Sequence, residues 1–188
     1  LFWFGDGTQY PHDLKPKQIL YATTRAIVEN TKKVSMEDVA TAIIPIGYNG
    51  RKLPNEEMTE TEFLVQLTEL TGCGLLIDLN NILVSAHNLG ASSHEQYAIN
   101  WLKDIPMSVV KELHLAGHSK VSEGELIIDD HSQPISFDCW QLYKTAITQF
   151  GPVPTLIEWD NNMPDWQTLA AQAKLAKETA GKTLNIEV

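Results

Sequence analysis

The chain has 188 residues, 43% hydrophobic and 20% charged, with a formal net charge of −10. That length and composition suit one globular domain with a real core, and the acidity excludes a general nucleic-acid binder, which carries a basic face. No apolar run approaches the roughly 20 residues of a membrane span, and no signal peptide is visible. Cys73 and Cys139 are too few for a disulfide framework and read as two buried, reduced thiols in a cytoplasmic protein.

Residues 15–30 carry Ile19, Leu20, Ala22, Ala26 and Ile27 at helical spacing, and residues 39–46 read as a strand stopped by Pro45 and Gly47. Thr59-Glu-Thr-Glu62 is a capping box with Met58 and Phe63 placed as a hydrophobic staple, and its helix runs to Thr71 with Gly72 as the stop. A strand is predicted at Gly74–Leu79, then a loop, then a helix from Ser93 to about Lys103. Strands follow at Val110–Leu115 and, shorter, at Glu125–Ile128. Ser136 caps a helix with Trp140, Tyr143, Ile147 and Phe150 inward and Gly151 at its end. Pro154–Trp159 is a further strand, and a last helix spans Asp165 to Thr179, closed by Gly181.

Strands alternating with helices imply parallel β/α packing. Four apolar runs end in metal-binding side chains: Asp78 with Asn80, His114 with His118, Asp129 with His131, and Glu158 with Asp160. Residues two apart on a strand point to one side, so each pair could look into a shared space. Asp, Glu, Asn and His hold hard or borderline metal ions. Working residues at the ends of several strands favour a TIM (β/α)₈ barrel over an open sheet, and no Gly-rich phosphate loop is present. A whole barrel takes about 250 residues. Leu1-Phe-Trp-Phe4 reads as the tail of a strand already under way, so residues 1–188 are expected to form a single barrel domain incomplete at the N-terminus, its C-terminal two-thirds.

Each residue has a plainer reading as well. Asp78 could cap a helix or loop, His114 could be a hydrogen-bonded core residue, and Asp129 could orient His131. Asp130 competes with Asp129, and Asp160 could cap the turn at Asn161-Asn162-Met-Pro164. Glu158 follows three apolar residues and is expensive to bury unless paired or metal-bound. His118 and Asp160 are the weaker members, Gly117 being able to break the strand before His118. His12, His87 and His94 read as surface residues, and no nucleophile elbow or activated thiol stands out.

Several ordered stretches resemble the multinuclear non-heme iron oxygenases of the methanobactin-biosynthesis type, a TIM-barrel family long known as a domain of unknown function. They are Met58-Thr-Glu-Thr-Glu-Phe-Leu64, Thr71-Gly-Cys-Gly-Leu-Leu-Ile-Asp-Leu-Asn-Asn81 with Val84-Ser-Ala86, and Glu112-Leu-His-Leu-Ala-Gly-His118. Leu126-Ile-Ile-Asp-Asp-His131, Trp140-Gln-Leu-Tyr143 and Pro154-Thr-Leu-Ile-Glu-Trp-Asp160 complete the set. The resemblance implies two or three irons at the barrel mouth, held here by Asp78, Asn80, His114, Asp129, His131 and Glu158. It also implies O₂-dependent oxidation, typically at Cys, of a ribosomally made precursor peptide presented by a partner protein. Further family His ligands would precede Leu1. The family's Glu-Asn pair falls at Ile43-Ile44, which cannot bind metal, and its Asn-His-Gly reads Asn88-Leu89-Gly90. Two alternatives therefore stand beside an active oxygenase: a degenerate member acting as a peptide-binding scaffold, and a divalent-metal isomerase or hydrolase on a similar barrel.

Overall fold

The computed structural model describes residues 59–122 and 124–186. The expected elements at 15–30 and 39–46, the Leu1–Phe4 stretch, His12, Ile43-Ile44 and Met58 lie outside them.

The first helix, α1 (Glu60–Thr71), starts on the expected capping box: the Thr59 hydroxyl accepts the Glu62 N–H and the Glu62 carboxylate accepts the Thr59 N–H at 2.7 Å. Gly72 ends it at φ 73°, a left-handed position that glycine reaches without penalty. Strand β1 (Leu75–Asp78) leads straight into α2 (Leu79–Asn88), followed by α3 (His94–Lys103) and a 3₁₀ turn at Met107–Val109. After β2 (Val110–Leu115) a long irregular segment returns to α4 (Phe137–Phe150), and β3 (Thr155–Ile157) precedes α5 (Trp166–Leu184). Among the described residues, each of the five α-helices opens on a side-chain N-cap: Thr59, Asp78, Ser93, Ser136 or Asp165.

The three strands of the described residues form a parallel sheet in the order β1-β2-β3. Asp78 pairs with His114 and Leu115 with Ile157, and the Glu158 N–H continues the ladder to the Leu115 carbonyl at 2.9 Å. All three strands therefore end at one edge of the sheet, side by side. Beneath that edge Leu75, Ile77, Leu113 and Leu115 pack against Leu67, Leu102, Leu142 and Ile147, all buried. Tyr143 ties α4 to β3, its hydroxyl 3.2 Å from Thr155 Oγ1. The outcome is an α/β arrangement of parallel strands covered by helices. Among the described residues no helix is long and apolar enough to cross a membrane.

Three expectations are corrected. No loop follows β1: Asp78 caps α2 directly, so Asn80 stands in a first helical turn rather than on a strand. Glu125–Ile128 is not a strand, because β2 pairs with β3 and leaves no slot between them. Its backbone is met instead by the Asn88 amide, which donates to the Ile127 carbonyl at 2.9 Å and accepts the Ile127 N–H at 2.8 Å. Finally, α5 runs through Gly181 to Leu184 and ends on Asn185 in the left-handed region, φ 54°. Cys73 and Cys139 are both buried free thiols, as expected.

Candidate metal centre

The ends of β1, β2 and β3, with the 129–131 turn laid across them, bring the expected side chains together. Asp78 serves two purposes: Oδ1 accepts the Asn81 N–H at 3.0 Å as the α2 cap, while Oδ2 lies 3.3 Å from His131 Nε2. The cap and ligand readings of this residue are thus compatible. His114, 7% exposed, has Nδ1 2.8 Å from Glu158 Oε2 and Nε2 3.3 Å from Glu112 Oε1.

His131 occupies the centre. Its Nε2 is 3.1 Å from Asp129 Oδ1, and its Nδ1 is 3.1 Å from Asp160 Oδ2 and 3.4 Å from Glu158 Oε2. The residue sits at φ 45°, unusual for a side chain of this size, and is held there by its carbonyl, which accepts the Asp160 N–H at 3.0 Å and the Asn161 N–H at 3.3 Å. Asp130, the competing carboxylate, is turned away: its Oδ1 accepts the Ser119 N–H at 2.9 Å.

Asn80 is fully buried, and its amide donates to Asp129 Oδ1 while its Oδ1 lies 2.9 Å from His118 Nδ1. Asn81 Nδ2 donates to the other Asp129 oxygen at 3.0 Å. Burial works to raise the Asp129 carboxyl, but His131 and the two amides outweigh it and hold the group below the usual carboxylate range. Close approach of Asp129, and next of Asp78, pushes the His131 imidazole up to about 11. Burial pushes His118 below the ordinary imidazole range.

Among the described residues three overlapping sets bring ligand atoms within 4.8 Å of one another: Asp78, Asp129 and His131; Asp78, His114 and Glu158; His131, Glu158 and Asp160. Asp78, Glu158 and His131 each belong to two sets, so the sets are contiguous. Nitrogen and carboxylate donors without thiolate suit iron, manganese or zinc. A further observation agrees with a cation. Buried His131 Nε2 has no hydrogen-bond partner, although two carboxylates lie close. Charge and proximity hold it there, without the aligned bond a buried ring nitrogen normally makes.

His118 stands outside these sets and contacts Asn80 instead. Asp160 is inside one of them but exposed. His87 is half-buried, its Nε2 3.1 Å from the Glu125 carbonyl and its ring 5.4 Å from that of exposed His94. The supporting roles of Asn81 and Glu112 were the hardest to anticipate. Asn81 showed only as a neighbour of Asn80, and Glu112 only through strand parity with His114.

The sequence matches the profile of the family described as RiPP precursor modification enzyme MbnB/TglH/ChrH over residues 1–181. Among its relatives, a UPF0276 protein of Rhizobium meliloti (strain 1021) is 38% identical over 181 residues, covering 94% of this chain and 57% of its own length. A UPF0276 protein of Paraburkholderia phytofirmans is 37% identical over 180 residues with the same coverage, and one of Vibrio parahaemolyticus 37% over 182 residues, covering 94% of this chain and 60% of its own. The chain thus spans between 57% and 60% of the length of these relatives. With the match running almost end to end, the chain belongs to the MbnB/TglH/ChrH family of RiPP precursor modification enzymes.

Proposed function

We propose that residues 1–188 form one part of a TIM-type (β/α)₈ barrel whose C-terminal mouth binds two or three irons and oxidises a residue, typically Cys, in a ribosomally synthesised precursor peptide with O₂. The observation that carries this reading is the convergence of His114 and His131 with Asp78, Asp129, Glu158 and Asp160 in contiguous three-residue sets. The family described as precursor-modifying supports a peptide substrate. A peptide-presenting partner protein and a cytoplasmic location complete the proposal.

In this reading Asp78, Asn80, His114, Asp129, His131 and Glu158 hold the metal, with Asp160 and His118 as weaker members. Asp78 and Glu158 each belong to two sets and would be shared between neighbouring ligand groups. Glu112 against one ring nitrogen of His114 fixes the ring so that the other faces Glu158. Asn81 steadies Asp129. Iron held by these residues would supply O₂ activation and Lewis acidity toward a substrate sulfur.

The test is turnover by the full-length protein, with its precursor peptide and partner, followed by mass spectrometry with and without O₂. An oxidised peptide formed only with O₂ is expected. Turnover that continues strictly without oxygen would select the isomerase or hydrolase alternative. Ile43-Ile44, in place of the family's Glu-Asn, favours one second reading, a peptide-binding scaffold. Peptide binding that survives Asp129→Ala and His131→Ala with no oxidised product would select it.

A further inference from the structure

Residues 124–135 carry two members of the metal sets, yet no strand positions them. Their placement depends on where the returning chain lies against the end of β2. It crosses at Gly117, whose carbonyl accepts the Gln133 N–H at 3.3 Å. A Cβ at Gly117 would stand 2.2 Å from the Pro134 carbonyl oxygen, 2.4 Å from that of Gln133 and 2.7 Å from the Pro134 carbonyl carbon. All three are backbone atoms, so no side chain could swing aside to make room.

The neighbouring restraints leave little freedom. Ser119 Oγ meets Ser132 Oγ at 2.8 Å, and Asn161 Nδ2 donates to the Asp130 carbonyl at 2.6 Å. His131 lies two residues before Gln133, with four carboxylate oxygens between 3.1 and 3.4 Å from its ring nitrogens. A displacement of a few tenths of an ångström or more at 133–134 is large on that scale.

We infer that Gly117 is a positioning residue for the metal centre: its missing side chain lets the 131–135 backbone lie directly on the end of β2, at the height that sets His131 between the two carboxylate pairs. This rests on the metal-centre reading above. Gly117 touches no ligand atom and acts through the backbone that carries His131.

The test uses the full-length protein and anaerobic Co(II) titration. Gly117→Ala is expected to weaken Co(II) binding about 10–100-fold, the range typical of residues that orient ligands. In a His131→Ala background the same substitution is expected to weaken it less than about 2-fold further, because the group it positions is gone while Asp129 keeps the Asn80 and Asn81 amides. Gly74→Ala serves as a crowding control, since the three nearest atoms a Cβ there would meet all belong to the Lys111 side chain, and it is expected to leave Co(II) affinity unchanged. Wild-type affinity in Gly117→Ala, or an equal loss in both backgrounds, would overturn the inference. If Gly117→Ala fails to fold, adding Gln133→Gly and Pro134→Gly lets the crossing backbone bow outward. That triple variant is expected to bind Co(II) more weakly than the Gln133→Gly, Pro134→Gly double variant, and equal binding would overturn the inference. If the wild type takes up no Co(II), the metal reading fails, and imidazole NMR of metal-free protein still decides the role of Gly117. A shifted His131 resonance with His114 unchanged is expected in Gly117→Ala; an unmoved His131 resonance would overturn it.

Discussion

Asp78 allows cap and metal roles to be separated by substitution. One oxygen accepts the Asn81 N–H at 3.0 Å and starts α2; the other faces His131 at 3.3 Å. Asn caps helices about as well as Asp, so Asp78→Asn keeps the cap while removing the charge. Asp78→Ala removes both. Each variant loses the attraction to His131, so that loss cancels when the two are compared. The remaining difference is the cap, worth about 1 kcal/mol. In a chain of this size that lowers the Tm of Asp78→Ala by roughly 2–4 °C relative to Asp78→Asn. Metal binding behaves differently. Both variants lose a carboxylate shared by two ligand sets, and both are expected to bind Co(II) at least about 10–100-fold more weakly, no less than the loss seen when an orienting group is removed. Thermal unfolding of metal-free protein by circular dichroism, beside Co(II) titration, reads the two effects separately. Equal Tm values for the two variants, or wild-type affinity in Asp78→Asn, would refute the dual role.

Other expectations follow from the same contacts. Because His131 is raised in the folded, metal-free protein to about 11 from 6.5, its stabilising contribution is complete below about pH 6.5, declines above it and is lost as pH passes about 11. His131→Ala should therefore flatten the alkaline arm of the stability–pH curve, and an unchanged arm would contradict the assignment. Leu113→Ala, at a fully buried position in β2, is expected to cost about 2–5 kcal/mol in urea unfolding. Tyr143→Phe, which loses the contact to Thr155, should cost about 0.5–1.5 kcal/mol in the same assay. Burial, and then the charge of Asp78, raise the Cys139 thiol, and Cys139 should react with a thiol reagent only after unfolding; Cys73, also buried, should likewise be shielded from the reagent until then.

Much of the centre was legible because strand periodicity and strand ends are local properties. Asp78, His114 and Glu158 terminate apolar runs, and the parallel pairing that was expected sets Asp78 beside His114. Asp129 and His131 were singled out for a partly mistaken reason. Leu126-Ile-Ile128 looks like a strand, yet only Ile127 is buried, at 8% exposure, while Leu126 and Ile128 are 45% and 68% exposed. Pairing is a long-range choice, and nothing in the run reveals that β3 already occupies the edge of β2. Asn80 reached the site by another unforeseen route. Asp78 begins α2 at once, and the first helical turn turns the buried Asn80 amide toward Asp129. The crossing at Gly117 was visible only as a glycine near a strand end. Its consequence depends on a backbone sixteen residues further along.

In the proposed function these side chains hold iron. The most direct test is iron content per chain in the full-length protein after anaerobic reconstitution with Fe(II) and removal of loosely bound metal. About two to three tightly bound irons, sharply reduced by Asp129→Ala and by His131→Ala, are expected for a contiguous carboxylate-rich centre. Fewer than about one iron per chain, or a content that both substitutions leave unchanged, would contradict the claim.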